Sequence, residues 1–272
     1  MSLCKGAGGM SVEVPPREAG GRPSVQLSSI AKAVRVLRAL AWTGSIDAGI
    51  TQLAGLASLP KSTTHRVLGE LIQEGLVART GQQRYRLGQG WFELQTALSR
   101  SEWVSLAERA HRPLAGLFEQ TGATVHLGVL DGDEILYLEK LTAPGGTVIP
   151  TRVGGRMPAT CTALGKCLLA HAAPERVRQL LAKPLPVASA RSIATPRLLL
   201  RQLAKIRETG LAYDIEESHP GVVCVAAPIL GDGPVVAAVS VSRVGTAAPA
   251  ASDQVAVQRT ANQIARWTAA AG

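Results

Sequence analysis

The spacing of apolar residues changes at Thr124. Upstream, they recur mostly at helical intervals of about 3.6 residues; downstream, several segments alternate with a period of two. A chain of 272 residues has room for two domains, and the two patterns divide it accordingly.

In the first part, residues 28–41 (SSIAKAVRVLRALA) place Ile30, Ala33, Val34, Leu37 and Ala41 on one helical stripe. Lys32, Arg35 and Arg38 turn away from it, and Ser28 or Ser29 is in position to cap the helix. Thr51 is expected to cap a short second helix, which Leu59-Pro60 ends, because proline disfavours helical geometry at the residue before it. A third helix is expected over 61–74. Its buried stripe is Val67, Leu68, Leu71 and Ile72, its outer face Lys61, Ser62, Thr63, His65, Arg66 and Gln73, and Gly75 stops it. Two short strands, 76–79 and 84–87, flank Thr80-Gly81-Gln82-Gln83 as a hairpin. Three helices and a hairpin over residues 26–88 make a winged helix-turn-helix. Residues 1–25, rich in Gly and Pro with mixed charge, are expected to be a disordered tail.

Helical spacing resumes over 91–115 with a break near 99–102, so residues 89–108 are expected to form a linker helix. Over 109–270 strands are expected at 124–130, 135–141, 147–153, 211–215, 222–230 and 235–242. Helices are expected at 160–171, 174–182, from Thr195-Pro196 to Gly210, and 252–270. This mixture without strict alternation indicates an α+β domain with an antiparallel sheet.

Charge follows the same division. The net charge is +9, and residues 26–90 hold eight Lys or Arg against three acids. A basic excess concentrated on a winged helix favours double-stranded DNA as partner. The third helix offers Lys61, Ser62, Thr63, His65 and Arg66 from its first turns, and a helix N-terminus reaches base edges first in the major groove. Arg66 suits a bidentate contact to guanine. Arg84 and Arg86 in the hairpin suit the adjacent backbone or minor groove.

Other classes are poorly supported. No stretch approaches about 18 uncharged apolar residues, so no membrane span is expected. The N-terminus shows no apolar signal segment, and the four cysteines form no CxxC pair, consistent with reduced thiols in the cytoplasm. Cys224 with His219 has no third orienting group for catalysis. Glu216, Glu217 and His219 match no metal spacing, and a phosphate-binding loop is absent, so neither cofactor nor metal is expected. His126 and His171 lie in apolar surroundings, as core histidines do.

The segment LPKSTTHRVLGELIQEGLV followed by RYRLG resembles the DNA-binding domain of the IclR family of bacterial transcriptional regulators. TVHLGVLDGDEILYLEKL, VGGRMPATCTALGKCLLA, LRQLAKIRETGLAYDIEES and GVVCVAAPI resemble its effector-binding domain. The resemblance spans about residues 28–268. It implies a winged helix-turn-helix, a linker helix and a GAF-like small-molecule domain. It also implies homodimers, often dimers of dimers, on palindromic operators. The effector-contacting positions it implies are Ala163, Leu164, Asp214, Cys224, Ser240 and Ser242. Strand alternation independently sets Ser240 and Ser242 on one face, opposite Val239 and Val241. A small organic or aromatic acid suits these residues: helix N–H groups near Ala163 would take a carboxylate, and Asp214 would accept from a ligand hydroxyl. The competing reading is a small-molecule enzyme or sensor whose N-terminal domain contacts protein.

Overall fold

A computed structural model of the chain describes residues 27–43, 45–98, 101–142, 149–230, 235 and 237–269. The expected tail, residues 1–25, lies outside the described residues. The chain divides into two compact units between Ser101 and Glu102.

The first unit contains α1 (Ser29–Trp42), β1 (Ala48–Gly49), α2 (Ile50–Ala57), α3 (Lys61–Gln73), β2 (Val77–Thr80), β3 (Arg84–Leu87) and α4 (Trp91–Leu98). Ser28 caps α1 by accepting from the Ala31 N–H at 3.1 Å. Thr51 does not cap α2. The cap position is Gly49, and Thr51 sits inside the first turn. Ser58, at φ 52°, ends α2, and α3 starts directly after Pro60, which gives the sharp turn between the two helices. The wing forms where expected, and β3 pairs on its other edge with the two-residue β1, too short to leave a sequence signal.

The core of this unit gathers Val36, Leu40, Leu53, Val67, Leu68, Leu71 and Tyr85. The expected stripe on α1 is not the buried one. Val36, Ala39 and Leu40 are buried, while Ile30 is 77% exposed and Val34 and Ala41 are exposed. Both faces of α1 carry apolar residues, so periodicity alone does not choose between them. On α3, Ile72 is exposed and Thr64 takes the fourth buried position, its hydroxyl donating to the Pro60 carbonyl.

The second unit begins with α5 (Glu102–Thr121), so the expected linker is shared between α4 and α5. It continues β4 (Thr124–Asp131), β5 (Glu134–Leu141), β6 (Arg156–Pro158), α6 (Ala163–His171), α7 (Pro174–Leu181), α8 (Pro196–Thr209), β7 (Ala212–Ile215), β8 (Val222–Ile229), β9 (Ala237–Val244) and α9 (Ala251–Ala269). The six strands form one antiparallel sheet in the order β6-β5-β4-β9-β8-β7. On one face α5 and α9 pack Leu114, Leu117 and Ile264 against Val125, Leu127, Val239 and Val241. On the other, α6 and α8 pack Leu168 and Leu203 against Ile135, Ala226 and Ala238. The strand expected at 147–153 does not form. Residues 147 and 148 lie outside the described residues, and 149–153 have no ladder. The Ile149 and Thr151 carbonyls instead accept from Lys140 Nζ at 2.9 and 2.7 Å, so a side chain replaces the strand partner. Thr195 occupies the cap position of α8 without a side-chain hydrogen bond, although Pro196 does stand in its first turn.

Residues 163–170 of α6 are all buried. Thr162 caps the helix by accepting from the Gly165 N–H at 3.0 Å. A Cβ on Gly165 would lie 2.1 Å from the Ala159 carbonyl oxygen, so only glycine lets the helix sit this close to the preceding turn. Backbone meets backbone here, and no rotamer change relieves the clash. Gly165→Ala is therefore expected to destabilise the second unit by about 3 kcal/mol, measured by denaturant unfolding.

Candidate functional site

In the first unit, Lys61, Ser62, His65 and Arg66 are exposed on α3 and Thr63 is half-buried. Arg66 Nη1 lies 2.7 Å from Glu70 Oε1, with both side chains more than half exposed. Such a surface pair is worth about 0.5 kcal/mol and yields readily to a stronger partner.

Arg84 is half-exposed and paired within its own unit. Its Nε donates to Asp47 Oδ1 at 2.6 Å and its Nη2 to the Asp47 carbonyl at 2.9 Å. Thr80 donates to Asp47 Oδ2 from the other strand of the hairpin. The hydrogen bond from Arg84 holds the Asp47 carboxyl below its ordinary range. Arg84 therefore ties the wing to the residue before β1, and Arg86, exposed on the same strand, is the outward arginine of the pair.

In the second unit, the first turn of α6 and the sheet face beneath it border a small cavity that opens to solvent. All six residues singled out from the sequence line it: Ala163, Leu164, Asp214, Cys224, Ser240 and Ser242. The alternation of β9 is as expected, with Ser240 and Ser242 toward the cavity and Val239 and Val241 in the opposite core.

The cavity also has a wall that the sequence did not reveal. His126 on β4 pairs across the sheet with Ser240, and its ring meets that of Tyr137 at 5.2 Å between centroids. His126 Nε2 lies 2.7 Å from the Thr151 hydroxyl and Nδ1 lies 3.4 Å from that of Ser242. Ile149, Thr151, Thr162, Ser218 and Val222 complete the lining. His126 was expected to be a core residue; it is buried, but at the cavity wall. Burial, with Lys140 as second cause, pushes its pKa down to about 3. His171 is only half-buried and lies near Arg207, and its buried Nε2 has no hydrogen-bond partner, so it is not the core histidine expected.

Asp214 is already well occupied. Oδ1 accepts from the N–H groups of Glu217 (2.7 Å) and Ser218 (3.2 Å), and Oδ2 from the Ser218 hydroxyl (2.5 Å). A carboxylate has about four lone-pair sites, which leaves roughly one for a ligand. Burial outweighs these bonds and raises its pKa; burial likewise raises those of Cys224 and Tyr137.

Behind the cavity, Lys166 is fully buried. Its Nζ reaches Glu217 Oε1 and Oε2 at 2.5 and 2.6 Å and Gln202 Oε1 at 2.9 Å. One turn into an apolar helix, Lys166 gave no sequence sign of a buried partner. Glu217 is thus committed to Lys166, and Glu216 to the Gly221 N–H and Arg191. Among the described residues no group of His, Cys, Asp and Glu is arranged to hold a metal ion, and no helix is long and apolar enough to cross a membrane.

Comparison with known proteins addresses both units. Residues 29–81 match the IclR helix-turn-helix domain, and residues 96–266 match the C-terminal domain of bacterial transcriptional regulators of the IclR type. The HTH-type transcriptional regulator KdgR of Escherichia coli (strain K12) is 34% identical over 79% of this chain and 82% of its own length. BhcR of Paracoccus denitrificans (strain Pd 1222), another HTH-type transcriptional regulator, is 32% identical over 87% and 81%. Among solved structures, an IclR homologue from Microbacterium hydrocarbonoxydans, complexed with 4-hydroxybenzoate, aligns with a TM-score of 0.77 at 29% identity, covering 90% of this chain and all of that one. The IclR of Thermotoga maritima aligns with a TM-score of 0.70 at 28% identity, over 89% and 98%. These relatives are regulators rather than enzymes, and the architecture is theirs: a winged helix-turn-helix followed by an α+β domain with an antiparallel sheet. The chain belongs to the IclR family of transcriptional regulators, carrying a DNA-binding and an effector-binding domain on one polypeptide.

Proposed function

We propose that the chain binds a palindromic operator as a homodimer or a dimer of dimers, and that a small organic or aromatic acid in the α6 cavity modulates that binding. Such a regulator works in the cytoplasm, beside the chromosome. The observation that carries the reading is the cavity: residues from five strands and the start of α6 converge on one small space where hydroxyl, imidazole and carboxyl groups stand beside Ile149, Ala163, Leu164 and Val222, a concave mixture of apolar surface and convergent polar groups that suits a small polar ligand. Thr162 engages the N–H groups of Gly165 and Lys166. Those of Ala163 and Leu164 belong to the same first turn, where a helix has no acceptors of its own and favours an anion. The 4-hydroxybenzoate complex of the Microbacterium homologue supports an aromatic acid.

On the DNA side, Lys61, Ser62, Thr63, His65 and Arg66 form the recognition face, and Arg86 is the phosphate contact of the wing. Arg84 acts through Asp47, by fixing the wing that carries Arg86. Two apolar strips support self-association: Ile30, Val34 and Ala41 along α1, and Leu94 and Leu98 one turn apart on α4, all exposed; Phe92 is exposed on a different face of α4. Strips of this kind mark surfaces that another chain covers. Two half-sites read together then supply affinity that one winged helix lacks. By linkage, an acid that weakens operator binding must itself bind the DNA complex more weakly.

Three substitutions test the DNA side. Arg66→Ala is expected to weaken operator binding by about 1–3 kcal/mol and relax base preference at one position of each half-site. Arg86→Ala should weaken specific and random DNA alike and flatten the salt dependence in gel shifts. Asp47→Asn removes a negative charge, which by itself would favour a polyanion, yet operator affinity should fall because the wing loses its anchor. For the cavity, a thermal-shift screen of small organic acids starting with 4-hydroxybenzoate identifies binders. Replacing Ser240 and Ser242 together by Ala should then weaken the best of them by about 1–3 kcal/mol in calorimetry. Unchanged affinity would make the two serines packing residues and move the ligand elsewhere.

A further inference from the structure

We propose that His126 is the acid-recognising residue of this cavity: its ring is neutral when the cavity is empty and takes up a proton when a carboxylate binds. The proposal rests on the reading of the cavity as a site for an organic acid and deepens it.

The argument starts from charge. Among the described residues that line the cavity, the ionisable ones are His126, Tyr137, Asp214 and Cys224, and no Lys or Arg is among them. A carboxylate entering this wall faces Asp214 and finds no fixed side-chain cation. The partial charge of the first turn of α6 helps, but a helix end amounts to only about half a charge. His126 is the one lining side chain able to become a cation.

Its surroundings suit both states of the ring. A neutral imidazole has one donor and one acceptor, whereas an imidazolium has two donors. Each ring nitrogen of His126 faces a hydroxyl, Thr151 at Nε2 and Ser242 at Nδ1. A hydroxyl rotates to donate or to accept, so the ring gains a proton without losing either hydrogen bond. An ammonium at either position would have held that nitrogen unprotonated and kept the ring neutral.

The neighbours set the sign. Lys140, opposite His126 on β5, opposes protonation, and burial opposes it more. Tyr137 on β5 and Cys224 on β8 keep their protons, because burial raises both. Asp214 on β7 is the competing proton acceptor. It too is raised by burial, against Lys166 and the bonds from Ser218 and Glu217. An anion beside the imidazole raises its pKa. Between the low value of the empty cavity and the higher value of the occupied one, binding takes up a proton. Acid affinity then falls as pH rises, about tenfold per unit, while an uncharged isostere shows no such slope.

The test uses the full chain with 4-hydroxybenzoate and benzoate, and with the matching amides. Calorimetry in buffers of different ionisation heat, run over a pH series that spans the empty and occupied values of the ring, is expected to show proton uptake by the protein per acid within that window and none per amide. Nitrogen NMR of histidine-labelled protein should show the His126 ring passing from a neutral tautomer to imidazolium as acid is added. His126→Gln keeps hydrogen-bonding groups but has no titrating ring, so proton uptake and the preference for acid over amide should both disappear. Acid binding without uptake, or with a neutral ring, overturns the proposal and leaves the acid site standing. Uptake that survives His126→Gln but vanishes in Asp214→Asn assigns the proton to Asp214 and also overturns it. Failure of either acid to bind overturns the aromatic-acid reading beneath it, and this proposal with it. If His126→Gln does not fold, the NMR measurement on the unmodified chain decides alone.

Discussion

The ion pair between Lys166 and Glu217 is buried at both ends, and the polar side of the cavity hangs from it. Burying an ammonium and a carboxylate costs several kcal/mol per ion unless each is well paired. Here the ammonium has both Glu217 oxygens and Gln202 around it. The pair fixes α6, which carries Lys166, to the loop after β7, which carries Glu217. That loop is under strain. Glu216 has φ 61°, a left-handed conformation that disfavours a side chain by roughly 1–3 kcal/mol. It is held by many bonds at once: Ser189 to the Glu216 carbonyl, Ser192 to the Glu217 carbonyl, and the Glu216 carboxylate to the Gly221 N–H. The reward of this conformation is the position of Asp214, whose oxygens gather the loop N–H groups while it faces the cavity.

The first unit uses charge in the same way at smaller scale. Its basic excess is not uniformly available to DNA, because Arg84 is turned back on Asp47. Asp47 joins three pieces: the end of the α1–β1 connection, β2 through Thr80 and β3 through Arg84. A hairpin of two four-residue strands has little stability by itself. With Asp47 bridging its strands and Tyr85 inserted in the core, it becomes a fixed support for Arg86.

Much of this was legible in the sequence, and the gaps have physical causes. The winged helix and the antiparallel sheet follow from periodicity and turn chemistry, which are local; alternation also sets Ser240 and Ser242 on one face of β9, and it was the family resemblance that marked that face as ligand-contacting. What escaped depends on which elements become neighbours. His126 has the alternation of any half-buried strand residue; only the pairing of β4 with β9 sets it beside Ser240 and Ser242. Arg84 looked like a free cation because its partner lies 37 residues away. Lys166 and Glu217 are 51 residues apart. The α1 stripe failed for another reason: both faces of that helix are apolar, and a sequence period gives the phase of a stripe without saying what covers it. The segment after residue 148 has strand-like composition, but Lys140 takes the carbonyls that a strand would need.

One strand connects the cavity to the helix that opens the second unit. Along β4, His126 faces the cavity, while Val125 and Leu127 on either side of it enter the opposite core. That core is shared with Leu106, Ala110, Leu114 and Leu117, the buried face of α5. Close-packed interiors transmit displacement because there is little empty space to absorb it. Whatever occupies the cavity and touches His126 therefore acts on a strand whose other face is part of the seat of α5. The continuous chain runs from α5 back toward α4 and the DNA-binding unit. The alternation of a single strand puts the cavity wall and the seat of α5 one residue apart.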